Sequence, residues 1–154
     1  MELILWRHAE AEDHAAGGDS ARALTKKGVK QAERMAAWLD ARLDADWRVL
    51  VSPAKRALQT AKPLDRAFEV SEAIGTGTTP GALLEAAGWP HGKRSVLVVG
   101  HQPTLGEVAA ELLGSGEGGL SVRKGSIWWF ASRHRDGGQE TLLKAVLAPE
   151  QLDA

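Results

Sequence analysis

Glu2-Leu3-Ile4-Leu5-Trp6-Arg7-His8 is the stretch on which the reading of the whole chain turns. An unbroken apolar run of this length, with no polar alternation, describes a strand buried on both faces, as in a parallel sheet. The run stops abruptly at Arg7-His8. Two later runs behave alike: Trp47 to Val51 ends at Ser52-Pro53, and Ser95 to Val99 ends at Gly100-His101-Gln102-Pro103. Each is followed by a helical pattern. The tail changes character, with Ser126 to Ser132 and Thr141 to Leu147 both strand-like. Arg133 to Glu140, with Gly137-Gly138 at its centre, separates them as a hairpin connection. Strand–helix alternation followed by a hairpin predicts an α/β fold. Its expected form is a three-layer α/β/α sandwich whose mostly parallel central sheet carries an antiparallel C-terminal strand pair.

The helices between these strands carry their own start and stop signals. Thr25 is placed to cap a helix from about Lys26 to Leu43, with Val29, Ala32, Ala36, Leu39 and Leu43 on one stripe. Ser52 as N-cap with Pro53 at the first helical position opens a second helix, expected to bury Ala54, Ala57, Ala61 and Leu64. Pro63 should end or kink it. Val70 to Pro80 reads as loop with room for a short strand, and Gly81 to Ala87 as a modest helix stopped by Gly88. From Thr104 a helix turns Leu105, Val108, Ala109 and Leu112 inward, with Gly114 just past its end. The glycine-rich segment Gly114 to Gly119 is expected to be mobile, and the last few residues to fray.

Composition bounds the rest. A chain of 154 residues, 44% hydrophobic and 25% charged, suits a single domain over residues 1–154. Nineteen basic against twenty acidic residues give no electrostatic reason to expect nucleic acid or an anionic membrane as partner. No apolar run approaches the roughly 18 residues of a membrane-spanning helix. Met1 to Arg7 lacks the basic start and long apolar segment of a signal peptide, so a cytoplasmic location is expected. Zero Cys excludes disulfides, thiolate metal sites and thiol nucleophiles. Zero Tyr removes the phenol as acid, base or nucleophile, leaving Ser, Thr, His, Lys, Asp or Glu for nucleophilic chemistry. Six of the eight aromatic residues are Trp, a usage that speaks of packing.

Ligands of open α/β sheets bind at the carboxyl ends of the strands. If neighbouring strands run parallel, Arg7, His8, Ser52, His101 and, one helical turn on, Arg56 meet in one pocket. Two imidazoles and two guanidiniums suit a dianionic group, because Arg grips phosphate oxygens with a planar fork and a helix start near Ser52 adds N–H donors. Each residue taken alone has a plainer role: Arg7-His8 as a polar strand end, His101 as a hydrogen-bonded structural residue, Arg56 as a solvated helical side chain. Three buried strands that all stop at chemically equipped residues weigh against that. A metal site built from the two imidazoles with Glu10, Glu12 or Asp13 is disfavoured by the two neighbouring Arg and by the lack of ligand spacing. Neither metal nor cofactor is therefore expected. His14, His91 and His134 stand in loop-like contexts and are expected at the surface.

Four blocks in this order resemble the histidine phosphatase superfamily, the phosphoglycerate mutase-like fold. Leu5-Trp6-Arg7-His8-Ala9 is similar to its Arg-His-Gly signature. Leu24-Thr25-x-x-Gly28-x-x-Gln31-Ala32, Ser52-Pro53-x-x-Arg56-Ala57-x-Gln59-Thr60-Ala61 and Val98-Val99-Gly100-His101-Gln102-Pro103 are similar to its later motifs. The blocks span about residues 3 to 113. The short length and Arg22, two residues before Leu24-Thr25, resemble the SixA-type phosphohistidine phosphatases.

The resemblance implies that His8 attacks phosphorus to give a phosphohistidine, which water then hydrolyses. Arg7, Arg56 and His101 would surround the phosphoryl oxygens, with Arg22 as a further substrate contact. It implies as partner a phosphorylated protein, its phosphate on histidine, or a small phosphorylated molecule, handled by a monomer. Two departures stand out. Ala9 occupies the place of the family glycine, which is tolerated only if its φ is negative. Glu85 is the only candidate in the middle segment for the acid that protonates an alkoxide leaving group, and its helical spacing also suits an outer face. A metabolite phosphatase using Glu85 or water as acid, and a non-catalytic phosphate-binding module, remain as alternatives. A mutase is disfavoured because so short a chain leaves little for a lid.

Overall fold

The apolar runs become the three central strands, β1 (Glu2–Arg7), β2 (Arg48–Val51) and β4 (Val96–Gly100). The computed structural model describes residues 1–115 and 118–152, so part of the Gly114 to Gly119 segment and the last two residues lie outside the description. The two-residue strand β3 (Glu69–Val70) adds one edge, and β5 (Ile127–Arg135) with β6 (Gly138–Leu147) the other. The six strands lie in the order β3-β2-β4-β1-β5-β6. The first four are mutually parallel, while β5 runs antiparallel to β1 and β6 to β5.

Alternation along the central strands divides the core in two. Ile4, Trp6, Val49, Val51, Leu97 and Val99 face one side. There they meet Met35, Ala36 and Leu39 of α1 (Lys26–Asp40) and Ala57 and Ala61 of α2 (Lys55–Ala61). Leu3, Leu5, Leu50, Val96 and Val98 face the other side. They meet Leu83 and Ala87 of α3 (Pro80–Ala87) and Leu105, Val108 and Ala109 of α4 (Thr104–Leu112). Both faces of the sheet are covered, which is why these strands read as continuous apolar runs. The expected three-layer α/β/α sandwich is found.

Several local expectations need correction. The buried stripe of α1 is Gly28, Gln31, Ala32, Met35, Ala36 and Leu39, and Val29 is 41% exposed. Polar Gln31 and the glycine hide the true stripe from a hydrophobicity count. α1 also stops at Asp40, though Leu43 stays buried beyond it. Ser52 does not cap α2: the helix starts at Lys55 with Ala54 as its N-cap and no side-chain cap. The hydroxyl of Ser52 instead faces the strand ends, as described below. The connection in the C-terminal hairpin is shorter than expected, because Arg135 already pairs with Gly138. Asp136 (φ 51°) and Gly137 (φ 78°) form a two-residue turn with positive φ at both positions, the geometry that matches strand twist.

The capping expectations hold better. Thr25 accepts a hydrogen bond from the Gly28 N–H at 3.0 Å, and Gly114 (φ 71°) donates to the Glu111 carbonyl just past α4. Thr25 also donates to the Glu10 carboxylate at 2.7 Å, tying α1 to the loop after β1. Here a glycine is required by close approach. A Cβ on Gly28 would run into the carbonyl oxygen of Glu10. Gly28→Ala is expected to destabilise the protein by about 1–3 kcal/mol, the usual cost of overpacking a tight contact. The neighbouring exposed change Lys27→Ala should stay within about 0.5 kcal/mol, both read from urea unfolding midpoints.

Candidate active site

Strand register assembles the site. β1 and β4 pair so that Arg7 lies opposite Gly100, and β2 and β4 so that Val51 lies opposite Val99. The next residues extend the ladder: the His8 N–H donates to Gly100 O and the Ser52 N–H to Val99 O, both at 3.1 Å. His8, Ser52 and His101 therefore emerge side by side at one sheet edge. β5 enters antiparallel, so its preceding turn lies there too, with the Gly125 N–H donating to the carbonyls of Arg7 and His8.

His8 is 6% exposed, and its Nδ1 lies 2.8 Å from the carbonyl oxygen of Ala9. A carbonyl only accepts, so Nδ1 carries the proton and Nε2 keeps a free lone pair. Ala9 is fully buried. Its N–H donates to Thr60 Oγ1 at 3.0 Å, and that hydroxyl donates to the Arg56 carbonyl at 2.7 Å. The only non-glycine residue with positive φ among the described residues is Asp136, so Ala9 sits at negative φ and its methyl is accommodated.

The ring of His101 stands 5.3 Å from that of His8, tilted by 54°. Its Nε2 lies 2.7 Å from Ser52 Oγ, while its Nδ1 is buried without a protein partner. Arg7 donates from Nη1 to the Val122 carbonyl at 3.0 Å. Arg56, 4% exposed despite its helical position, donates to the Asp19 carbonyl at 2.8 Å and to its carboxylate at 3.1 Å. Arg22 donates to the other Asp19 carboxylate oxygen at 3.0 Å and to the Glu12 carbonyl at 2.9 Å. One carboxylate thus bridges two guanidiniums.

These side chains line a cavity of about 310 Å³ into which Asp13, Thr76, Gln102 and Lys124 also project. Of the residues that the sequence places in one pocket, Arg7, His8, Arg56 and His101 lie on its wall, as does Arg22, whereas Ser52 stands behind the wall, hydrogen-bonded to His101. Glu85 does not: it is exposed on α3 and is no part of the lining. Asp19 and Lys124 escaped the sequence reading. Asp19 sits in a Gly-Gly-Asp-Ser loop that carries no chemical signature, and Lys124 reaches the site only through the turn before β5.

Burial sets the protonation of the imidazoles. It pushes His8 down to about 3, with His101, Arg56 and Arg7 adding to the shift and the Ala9 carbonyl opposing it. Burial likewise takes His101 down to about 4, helped chiefly by the charge of Arg56. The hydrogen bond from Arg56 holds the Asp19 carboxyl below its ordinary range. Near neutral pH the pocket thus offers two uncharged imidazoles among cationic guanidiniums. The Nε atoms of Arg7 and Arg56 are buried with no protein partner, an arrangement that is costly outside a functional site.

The family model of the histidine phosphatase superfamily (branch 1) matches residues 3–75. A SixA phosphohistidine phosphatase homologue from Haemophilus influenzae is 37% identical over 130 residues, covering 74% of this chain and 78% of that one. Phosphohistidine phosphatase SixA from Escherichia coli K12 is 36% identical over 121 residues, covering 73% and 74%. The solved structure of the protein histidine phosphatase SixA complexed with tungstate superimposes with a TM-score of 0.75. It is 27% identical, over 99% of this chain and all of the other. Sequence blocks, strand-edge pocket and relatives agree, and this chain belongs to the histidine phosphatase superfamily, in its SixA-type group.

Proposed function

We propose that the protein is a phosphatase that removes the phosphoryl group from phosphohistidine on a protein, through a phosphohistidine intermediate on His8. The observation that carries this reading is the state of His8: neutral, with Nδ1 tied to Ala9 and Nε2 free beside two guanidiniums. The Nε2 lone pair forms a bond to phosphorus as the bond to the substrate nitrogen breaks. When the substrate ring carries a proton on its other nitrogen, it departs as neutral imidazole and needs no acid from the enzyme. The phosphorylated His8 ring keeps its Nδ1 proton, and the Ala9 carbonyl supports the positive charge this creates. Water then attacks phosphorus, gives its proton to the departing phosphate or to solvent, and returns His8 to its starting tautomer. Arg7, Arg56 and His101 stabilise the phosphoryl charge, and Arg22 orders the rim through Asp19.

Phosphoester chemistry would need a proton donor, and Glu85 is outside the pocket. Of the two carboxylates on the wall, Asp19 is held ionised by Arg56 and Arg22, which leaves Asp13. No helix among the described residues is long and apolar enough to cross a membrane. We place the protein in the cytoplasm as a monomer acting on phosphorylated protein and not on nucleic acid. The near-balanced charge of the chain supports the last of these.

His8→Ala is expected to abolish hydrolysis of phosphoramidate and of a phosphohistidine peptide, and to remove the acid-labile, base-stable phosphate trapped on the wild-type chain. Arg56→Ala should lower kcat/KM about 10²–10³-fold, the scale for losing one donor to a developing anion. Undiminished turnover in His8→Ala would overturn the nucleophile assignment. Asp13→Asn should leave phosphoramidate hydrolysis within about twofold, because a change below that size is under ~0.5 kcal/mol of barrier. A loss confined to phosphoesters would instead favour a metabolite substrate. The pH profile offers a fourth check. His8 is protonated only near about 3, well below the ordinary imidazole value of 6.5. The acid limb of kcat/KM should therefore lie below about pH 5, and a limb near 6.5 would mean that the nucleophile is not desolvated.

A further inference from the structure

The cationic wall of the phosphate pocket does not end at the pocket. Arg7 and Lys124 also line a neighbouring depression that takes in Lys27 and Arg123, and Lys27 leads on to a third depression along α1 with Lys26, Lys30 and Arg34. Among the described residues, the only acidic ones lining the two outer depressions are Glu10 and Glu150. Glu10 already accepts a hydrogen bond from Thr25. Among the described residues seven cations against two glutamates stand here, on a chain whose total charge is −1.

Adjacency sets these cations apart, since Lys55, Lys62, Lys93 and Arg135 are also exposed without a carboxylate partner among the described residues but line none of these depressions. Arg48, Arg66, Arg94, Arg133 and Lys144 are each matched to a carboxylate. Lys26, Lys27, Lys30, Arg123 and Lys124 are exposed, and none pairs with a carboxylate among the described residues. Gln102 connects the pocket to a groove bearing Glu107 and Glu111 and, among the described residues, no cation; Ser121 lines both this groove and the first outer depression, so acidic and basic surfaces adjoin there. The phosphate site therefore borders both a basic track and an acidic groove.

We infer that the track from Lys124 along α1 is a docking surface for an acidic stretch of the substrate protein beside its phosphohistidine. This rests on the phosphatase reading above and adds to it the side from which the partner approaches. A chain of three depressions is longer than a small metabolite needs. No Trp, Phe or Tyr lines the two outer depressions, so the stacking platform that single-stranded nucleic acid uses is missing there. Like charges at Glu107 and Glu111 turn an acidic partner away from that groove and toward the basic track.

The test uses the full chain and two synthetic peptides, each with one histidine phosphorylated by phosphoramidate and flanked on one side by four glutamates or by four serines. The wild type is expected to prefer the glutamate peptide in kcat/KM by about tenfold at low salt, the lower end of electrostatic steering, and to lose the preference near 0.5 M salt. The double variant Lys26→Glu, Lys30→Glu should erase the preference through KM while hydrolysing phosphoramidate at the wild-type rate. Lys26→Arg, Lys30→Arg should retain it, and an unchanged thermal midpoint separates lost docking from lost folding. Equal turnover of both peptides by the wild type, or an undiminished preference in the reversed variant, overturns the docking surface and leaves the phosphatase reading intact. A single-stranded oligonucleotide of matched charge that binds more tightly than the glutamate peptide overturns the choice of partner. Failure of the wild type to hydrolyse either peptide or phosphoramidate overturns the phosphatase reading itself.

Discussion

The in-register parallel pairing of β1 and β4, with Arg7 opposite Gly100, is the constraint on which the remaining structure depends. It brings two chain segments about ninety residues apart to the same sheet edge and forces His8 and His101 to leave the sheet together. The register is held by burial on both faces: a slip of one residue would exchange Ile4 and Trp6 with Leu3 and Leu5 between unlike helix layers. β2 joins in the same sense and delivers Ser52 and α2, and with α2 comes Arg56. The His8, His101 and Arg56 wall of the pocket is thus a consequence of core packing, while Asp19, Arg22 and Lys124 are brought to it by loops.

Desolvation is the second consequence. Packing two imidazoles and two guanidiniums at a covered edge drives both histidines to the neutral form, the one that leaves a lone pair for phosphorus. Asp19 is the resident anion of this cationic site. By bridging Arg56 and Arg22 it keeps two charged forks aimed into the cavity. The Ala9 carbonyl does for His8 what a distant carboxylate does for many histidines: it selects the tautomer, with a group only one residue away.

Much of this was legible beforehand. Arg7, His8, Arg56 and His101 were found because each stands where an apolar run stops or one turn beyond, and a polar residue at the end of a buried strand has few structural uses. Ser52 stands at the strand end as its position predicts, but it does not cap the helix. Ser-Pro is a helix-start signal in local chemistry, but the hydroxyl found a stronger partner in His101 across the sheet. Val29 was misplaced because an apolar residue at the right spacing was preferred to Gln31. That glutamine is buried because its side chain accepts the Glu10 N–H. Asp19 and Lys124 had no signal, since a loop's path is set by what it lands on.

The sequence by itself determined the layers, the parallel core strands, the antiparallel tail and the four residues at the strand ends, because burial and periodicity are local properties of the chain. Only the tertiary structure decided which nitrogen of His8 is free, that Ala9 is tolerated, that Glu85 faces solvent and that Asp19 clasps two arginines. It also joined cations of α1 to those before β5 in one track leading from the pocket. These depend on distances between segments far apart in the chain. Hydrogen-bond geometry and desolvation act over a few ångströms, and no local pattern encodes them.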